Sequence, residues 1–159
     1  RGEVESLLLG ARMLKAWGDK EMSASATSAV RKILSVMPEG LRELDEDNSI
    51  QVVNFENEDD LTAHSDTIRQ AIRKKHCLNI QYTRADGEKS ERILWPLGLV
   101  FWGKVWTMIA WCTLREDYRE FRLDRIWDLE ENGASYVTSD TISLNHYLSI
   151  VGDDKNGCS

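Results

Sequence analysis

Cysteine is scarce in this sequence and poorly placed for chemistry: Cys77, Cys112 and Cys158 are odd in number, far apart and never in a CxxC pair. That spacing supports neither a disulfide framework nor a zinc site, and it predicts reduced, structural thiols. Proline is scarcer still, with only Pro38 and Pro96 in 159 residues, so each should mark a place where an element stops or bends. The chain lacks any run of about eighteen apolar residues and has no charged, apolar, small-residue leader; neither a membrane span nor a secretory signal is indicated, and the expected compartment is the cytoplasm.

Catalytic signatures are missing too. There is no GxSxG and no glycine-rich phosphate loop, and His64, His76 and His146 are scattered. His76 does adjoin Cys77, but neighbours in a strand point to opposite faces, so the pair is not expected to share a proton. The carboxylate pairs Asp59-Asp60 and Glu116-Asp117 fall in predicted turns, where solvated charge is the ordinary state. The expectation is a protein that is not an enzyme and has no metal site and no cofactor. The chain opens at Arg1 without a methionine and reads as part of a longer protein.

What the sequence does contain is six tryptophans and 30% charged residues, with a formal net charge of -7. The charge is uneven. Residues 1–68 carry 7 basic against 14 acidic side chains, residues 69–125 carry 12 against 7, and residues 126–159 carry 1 against 6. A basic centre between acidic flanks would draw an anion to one place, while the flanks disfavour duplex DNA binding by this segment alone.

Helical spacing of Val4, Leu7, Leu8, Ala11 and Leu14 predicts a first helix over Glu3–Trp17, closed at Gly18-Asp19. A second follows over Lys20–Met37, stopped by Pro38. Alternation over Ile50–Phe55 predicts a strand, and a third helix is expected over Leu61–Lys75. Strands are then expected at Leu78–Arg84 and Lys89–Trp95 around the hairpin dipeptide Asp86-Gly87, at Leu97–Trp102 and Val105–Cys112 around Gly103-Lys104, and at Arg119–Leu129. Pro96 is read as a break or edge, Tyr136-Val137 as a short last strand, Ser143–Ile150 as a terminal helical turn, and Gly152–Ser159 as a disordered tail. The fold class is α+β: a small antiparallel barrel of the SH3 or Sm kind entered through helices. The domain division is 1–48 as a helical linker or dimerisation region, 49–150 as the barrel with its lead-in helix, and 151–159 as tail.

Arg84, Arg92, Arg115, Arg119, Arg122 and Arg125 lie on or beside these strands. Arginine forks grip phosphate or carboxylate bidentately and stack on rings, but the same residues also serve as ion-pair partners. Trp95, Trp102, Trp106, Trp111 and Trp127 are read mainly as core because Leu, Ile, Val and Met surround them, and one exposed ring would be enough to stack a base.

The run Arg92–Phe101, then Trp106–Cys112, then Arg115, Arg119 and Phe121–Ile126 resembles the WYL domain of bacterial YafY-like, DeoR-type transcriptional regulators. Leu7–Arg12, Gly18-Asp19 and Lys32–Pro38 resemble the helical linker of that family, so the likeness covers most of residues 3–150. Two features depart from it. The tripeptide that names the family stands here as Trp106-Thr107-Met108, and the winged helix-turn-helix would lie before Arg1. The resemblance implies a ligand-sensing effector domain controlling an attached DNA-binding module, commonly in a homodimer. The implied ligand is a nucleotide or short single-stranded nucleic acid, held at Tyr82, Arg92, Trp106, Arg115, Arg119 and Arg122, with Arg84 and Arg125 as further candidates. The competing reading is a non-sensing interaction module that only dimerises and positions the DNA-binding domain.

Overall fold

Helix breakers set the first unit. In the computed structural model, which describes residues 2–39, 64–103 and 105–156, α1 spans Gly2–Trp17 and α2 spans Lys20–Val36. The turn between them is two residues long, and both have a physical task. Gly18 donates its N–H to the Leu14 carbonyl at 2.9 Å, and a Cβ on it would lie 2.5 Å from that same oxygen. Asp19 caps α2, its Oδ1 accepting from Met22 N at 2.8 Å. Pro38 follows the extended Met37, whose N–H reaches the Leu34 carbonyl. The two helices pack on each other, yet Leu7, Leu14 and Val36 are 59%, 39% and 82% exposed. The expected strand at Ile50–Phe55, and the predicted helix start at Leu61, lie outside the described residues.

The second unit, Ala63–Ser159, is a helix, a sheet and a helix. The amphipathic α3, Ser65–Lys74, turns Ser65, Ile68 and Ala71 inward at helical spacing. It ends on Lys75 in the left-handed region (φ 56), so the chain passes into β1, His76–Thr83, without a loop. Next come β2, Lys89–Phe101, β3, Trp106–Cys112, β4, Asp117–Arg122, and β5, Ile126–Ser135. The helix α4, Leu144–Asn156, closes the unit. The sheet is wholly antiparallel in the order β4-β3-β2-β1-β5. The α+β class stands.

Four expectations about single elements need correction. Pro96 does not end a strand: β2 runs through it, because a bulge between Pro96 and Gly98 absorbs the missing N–H where Pro96 faces Ala110. The single strand expected over Arg119–Leu129 is two, separated by a 3-10 turn at Leu123–Arg125. Tyr136-Val137 adds no strand. The terminal helix extends to Asn156, so residues 152–156 are helix and not tail.

The barrel is the largest correction, for β4 and β5 form the two edges and are not paired. The sheet is open, but it is far from flat. Four Cα steps join Arg122 to Ile126, reaching at most about 14 Å, whereas the edges of a flat five-stranded sheet are about 19 Å apart. The sheet must curl, and Tyr82 of β1 meets Phe121 of β4 across the hollow, ring centroids 5.1 Å apart and edge to face.

Each face of the sheet carries a core. On the concave face Ile68 and Ala71 of α3 pack with Leu78, Ile80, Leu94 and Met108, all fully buried, and with Phe121, Leu123 and Ile126. On the other, Cys77, Leu97 and Tyr136 gather Trp95, Trp111, Tyr118 and Leu144. Both cores explain why β3 is buried at nearly every position.

Candidate functional site

The register divides the predicted binding residues between faces. Arg92 faces Ile80 in β1, and Arg119 faces Ala110 in β3, so both share the concave face with the first core. Arg122 faces Thr107, on the opposite side. Arg115 stands in the β3–β4 turn, its N–H donating to the Cys112 carbonyl at 3.2 Å, and Glu116 beside it holds φ 49. On ideal sheet spacings Arg92 and Arg119 are roughly 16 Å apart at Cα. They can bracket a ligand of nucleotide size but do not close on one phosphate.

Several candidates are already engaged. Arg84 pairs with Glu88 at 2.9 Å and Asp86 at 3.8 Å in the first hairpin. Arg119 pairs with Asp117 at 2.8 Å, and Arg122 holds Asp124 with both Nε (3.0 Å) and Nη2 (2.6 Å). Such exposed pairs add little to stability and can open to an anion at small cost. Arg92 donates only to the carbonyl of Glu91, at 2.7 Å. Among the described residues neither it nor Arg115 has a carboxylate partner. Arg125 sits half-buried in the 3-10 turn.

The aromatic candidates are placed differently from expectation. Tyr82 is 8% exposed and its ring is occupied by Phe121, so it offers no stacking face. Trp106 is half-buried against the core and lies 5.1 Å from Phe101. Thr107 is 4% exposed, a small buried hydroxyl. Trp127, read as core, is 54% exposed, with the Lys89 ammonium 5.3 Å from its ring centroid.

Polar contacts that the sequence did not reveal hold the second face together. Tyr118 donates its hydroxyl to the Thr141 carbonyl (3.0 Å), lies 2.9 Å from His146 Nδ1, and accepts from Ser143 N at 3.1 Å. Tyr147 bonds Glu120, and Tyr136 bonds the Pro96 carbonyl while stacking on Trp95. The contacts join residues 23 to 40 apart in sequence, so no local pattern could have announced them. On β1, His76 Nδ1 meets Glu131 Oε2 at 2.7 Å. That hydrogen bond, with Lys74 nearby, holds the Glu131 carboxyl below its usual range. Burial pushes the Cys77 thiol up, which suits an inert, packed cysteine.

Burial also raises the Tyr136 phenol to about 12, and burial with the Glu120 contact raises Tyr147 further. Both hydroxyls favour the neutral state in the fold. The unfolded phenols ionise near 10, so above that pH the folded state binds more protons and stability falls as pH rises. We expect the denaturation midpoint to drop between about pH 10 and about pH 12, and Tyr136→Phe to flatten the drop. Chemical denaturation across that range, with tyrosinate absorbance followed in parallel, checks this.

The curled five-stranded sheet with its lead-in helix and arginine-bearing rim falls largely within the segment that a family comparison matches. Residues 63–131 match the WYL domain, and this part of the chain is a WYL domain. Over 123 residues, 76% of this chain and 36% of the relative, it is 31% identical to the DNA-binding transcriptional repressor CapW of Escherichia coli. Over 140 residues, 86% of this chain and 45% of the relative, it is 26% identical to the HTH-type transcriptional regulator YobV of Bacillus subtilis. It therefore spans less than half the length of these curated relatives. Proteasome accessory factor B/C (PafBC) of Arthrobacter aurescens is a similar solved structure, 29% identical, with 88% of this chain and 21% of that one covered and a TM-score of 0.47.

Proposed function

We propose that this chain is the ligand-sensing effector part of a bacterial, YafY-like, DeoR-type DNA-binding transcriptional regulator. It acts in the cytoplasm as a homodimer and without catalysis. The transcription role is supported by the two relatives named as regulators. The observation that carries the sensing role is the pair of guanidiniums at one end of the WYL sheet, Arg92 and Arg115, which have no carboxylate partner among the described residues. They hold the phosphates of a nucleotide or short single-stranded nucleic acid, and Arg119 exchanges Asp117 for the ligand.

Fluorescence anisotropy with labelled short single-stranded oligonucleotides, and competition by mono- and cyclic nucleotides, tests the reading. Arg92→Ala with Arg115→Ala should weaken binding by about tenfold or more, and the affinity should fall with salt. Equal binding by both proteins, or none by either, rejects it.

The exposed Leu7, Leu14 and Val36 of the α1–α2 hairpin favour a second reading, in which the chain only dimerises and positions the DNA-binding domain. Under that reading sedimentation shows a stable dimer, and the arginine variants leave regulation unchanged.

A further inference from the structure

The face of the sheet opposite α3 is covered over only part of its area. Leu144 of α4 sits on Gly98, and Tyr136 and Tyr118 cover Trp95 and Trp111. Among the described residues the cover ends beyond Trp95. The residues that continue this face along β2 are Ile93, Glu91 and Lys89, which stand opposite Asn79, Gln81 and Thr83 of β1. On β5, Asp128 and Glu130 stand opposite Gln81 and Asn79. The Lys89 contact fixes the Trp127 ring over the same surface.

This area is apolar where a soluble surface is normally polar. Ile93 is 48% exposed, Trp127 54%, and Leu114 at the adjoining turn 69%. Ile93, Thr113 and Leu114, with Glu91 and Arg92, line an open hollow of about 560 Å³, large enough for a side chain or two. The charge around the apolar residues is negative: Glu91, Asp128 and Glu130 against Lys89. Asp128 accepts only the neighbouring Leu129 N–H (3.0 Å), and Glu130 accepts only from Asn79 at 3.4 Å. Among the described residues none of the three pairs with a lysine or arginine. With Arg92 in the lining, three carboxylates stand against two cations, so the face is acidic on balance and meets the arginine rim at Arg92.

We propose that this uncovered half-face is a docking surface for a basic, amphipathic segment of another polypeptide. Apolar side chains of that segment enter the hollow beside Ile93 and Leu114. Its lysines or arginines meet the three carboxylates and share the Trp127 ring, which already accepts an ammonium on one side. Carboxylates spread over two strands around a central aromatic are the complement of a cationic helix stripe or strand edge, which is what singles out this occupant.

The test uses the whole chain and a short amphipathic lysine–leucine peptide as probe, with the same peptide carrying glutamate for lysine as its opposite, both followed by anisotropy. The lysine peptide should bind and the glutamate peptide should not. Trp127→Ala, and separately Glu91→Lys with Asp128→Lys, should each weaken binding by about tenfold. A variant of equal charge change elsewhere, Glu3→Lys with Asp140→Lys, should leave it intact, as should Arg115→Ala with Arg119→Ala, neither of which lines the hollow. Retained binding in the face variants, equal loss in the Glu3/Asp140 variant, binding of the glutamate peptide, or no binding of the lysine peptide each overturns the proposal. Near-UV circular dichroism confirms that the variants remain folded. Loss of nucleotide binding in the arginine variant, with the peptide still bound, separates this surface from the sensing site.

Discussion

Leu78→Ala should cost about 2–5 kcal/mol, the largest effect of any single truncation in the WYL unit. Leu78 is fully buried, lies in β1, which is paired on both sides, opposite Leu94 of β2, and belongs to the core that α3 covers. Removing its isobutyl group takes away both the transfer energy and the contacts of a packed site that the paired backbone on either side cannot collapse to fill. A domain of this size is stable by about 5–15 kcal/mol in total, so the variant loses a large share. At about 4–8 °C per kcal/mol, its thermal midpoint should fall by at least about 8 °C. Tryptophan fluorescence is the suitable probe, because five of the six tryptophans lie in residues 63–159 and only Trp17 lies outside them. Val36→Ala, 82% exposed in the wild type, is the comparison and should move the midpoint little.

The second large effect concerns the seat of α4. A Cβ on Gly98 would lie 2.5 Å and 2.9 Å from the two δ carbons of Leu144, inside any real contact distance. Gly98→Val should therefore cost about 1–3 kcal/mol and loosen α4 before it disturbs the sheet. Hydrogen exchange should show faster exchange over 144–152 while β1 and β3 stay protected. The geometry also predicts a rescue: Leu144→Ala, harmful in the wild type, should be much less harmful in a Gly98→Ala background. Independent, additive losses would mean that Gly98 is needed for something other than the close approach of Leu144. Gly87→Ala separates steric from backbone effects, for it meets open space but has φ +84, and should cost about 1 kcal/mol with no change in α4.

Local signals carried most of the fold into the sequence. Gly18-Asp19 and Pro38 bounded two helices because each acts on its own backbone, and Asp86-Gly87 marked a hairpin because Gly87 supplies the positive φ. Distance defeated the rest. Pro96 lies within a strand only because a bulge two residues wide frees it from donating. The alternation of Phe121, Leu123 and Arg125 continues through the 3-10 turn without a visible break, since Leu123 is buried there as it would be in a strand. The site was legible as a set of arginines and not as an arrangement. Which of them had carboxylates beside them depended on Asp117 and Asp124, and Tyr82 was fixed in the core by a ring from a strand three places away in the sheet. Trp127 read as core from its apolar neighbours, yet it sits where β5 bulges opposite Gln81 and Tyr82.

The order of the strands also sets how the domain comes together. The ladders β1–β2, β2–β3 and β3–β4 are successive hairpins and form between near neighbours. The ladder β1–β5 joins Tyr82 to Ile126 and His76 to Ser135, a closure over roughly 50 residues that costs about 3.5 kcal/mol in chain entropy before any contact repays it. Folding is therefore limited by the return of the last strand to the first. During synthesis the partner edge of β1 waits, exposed, until residues 126–135 have left the ribosome, and the acidic side chains of β5 reach the sheet only in that final step.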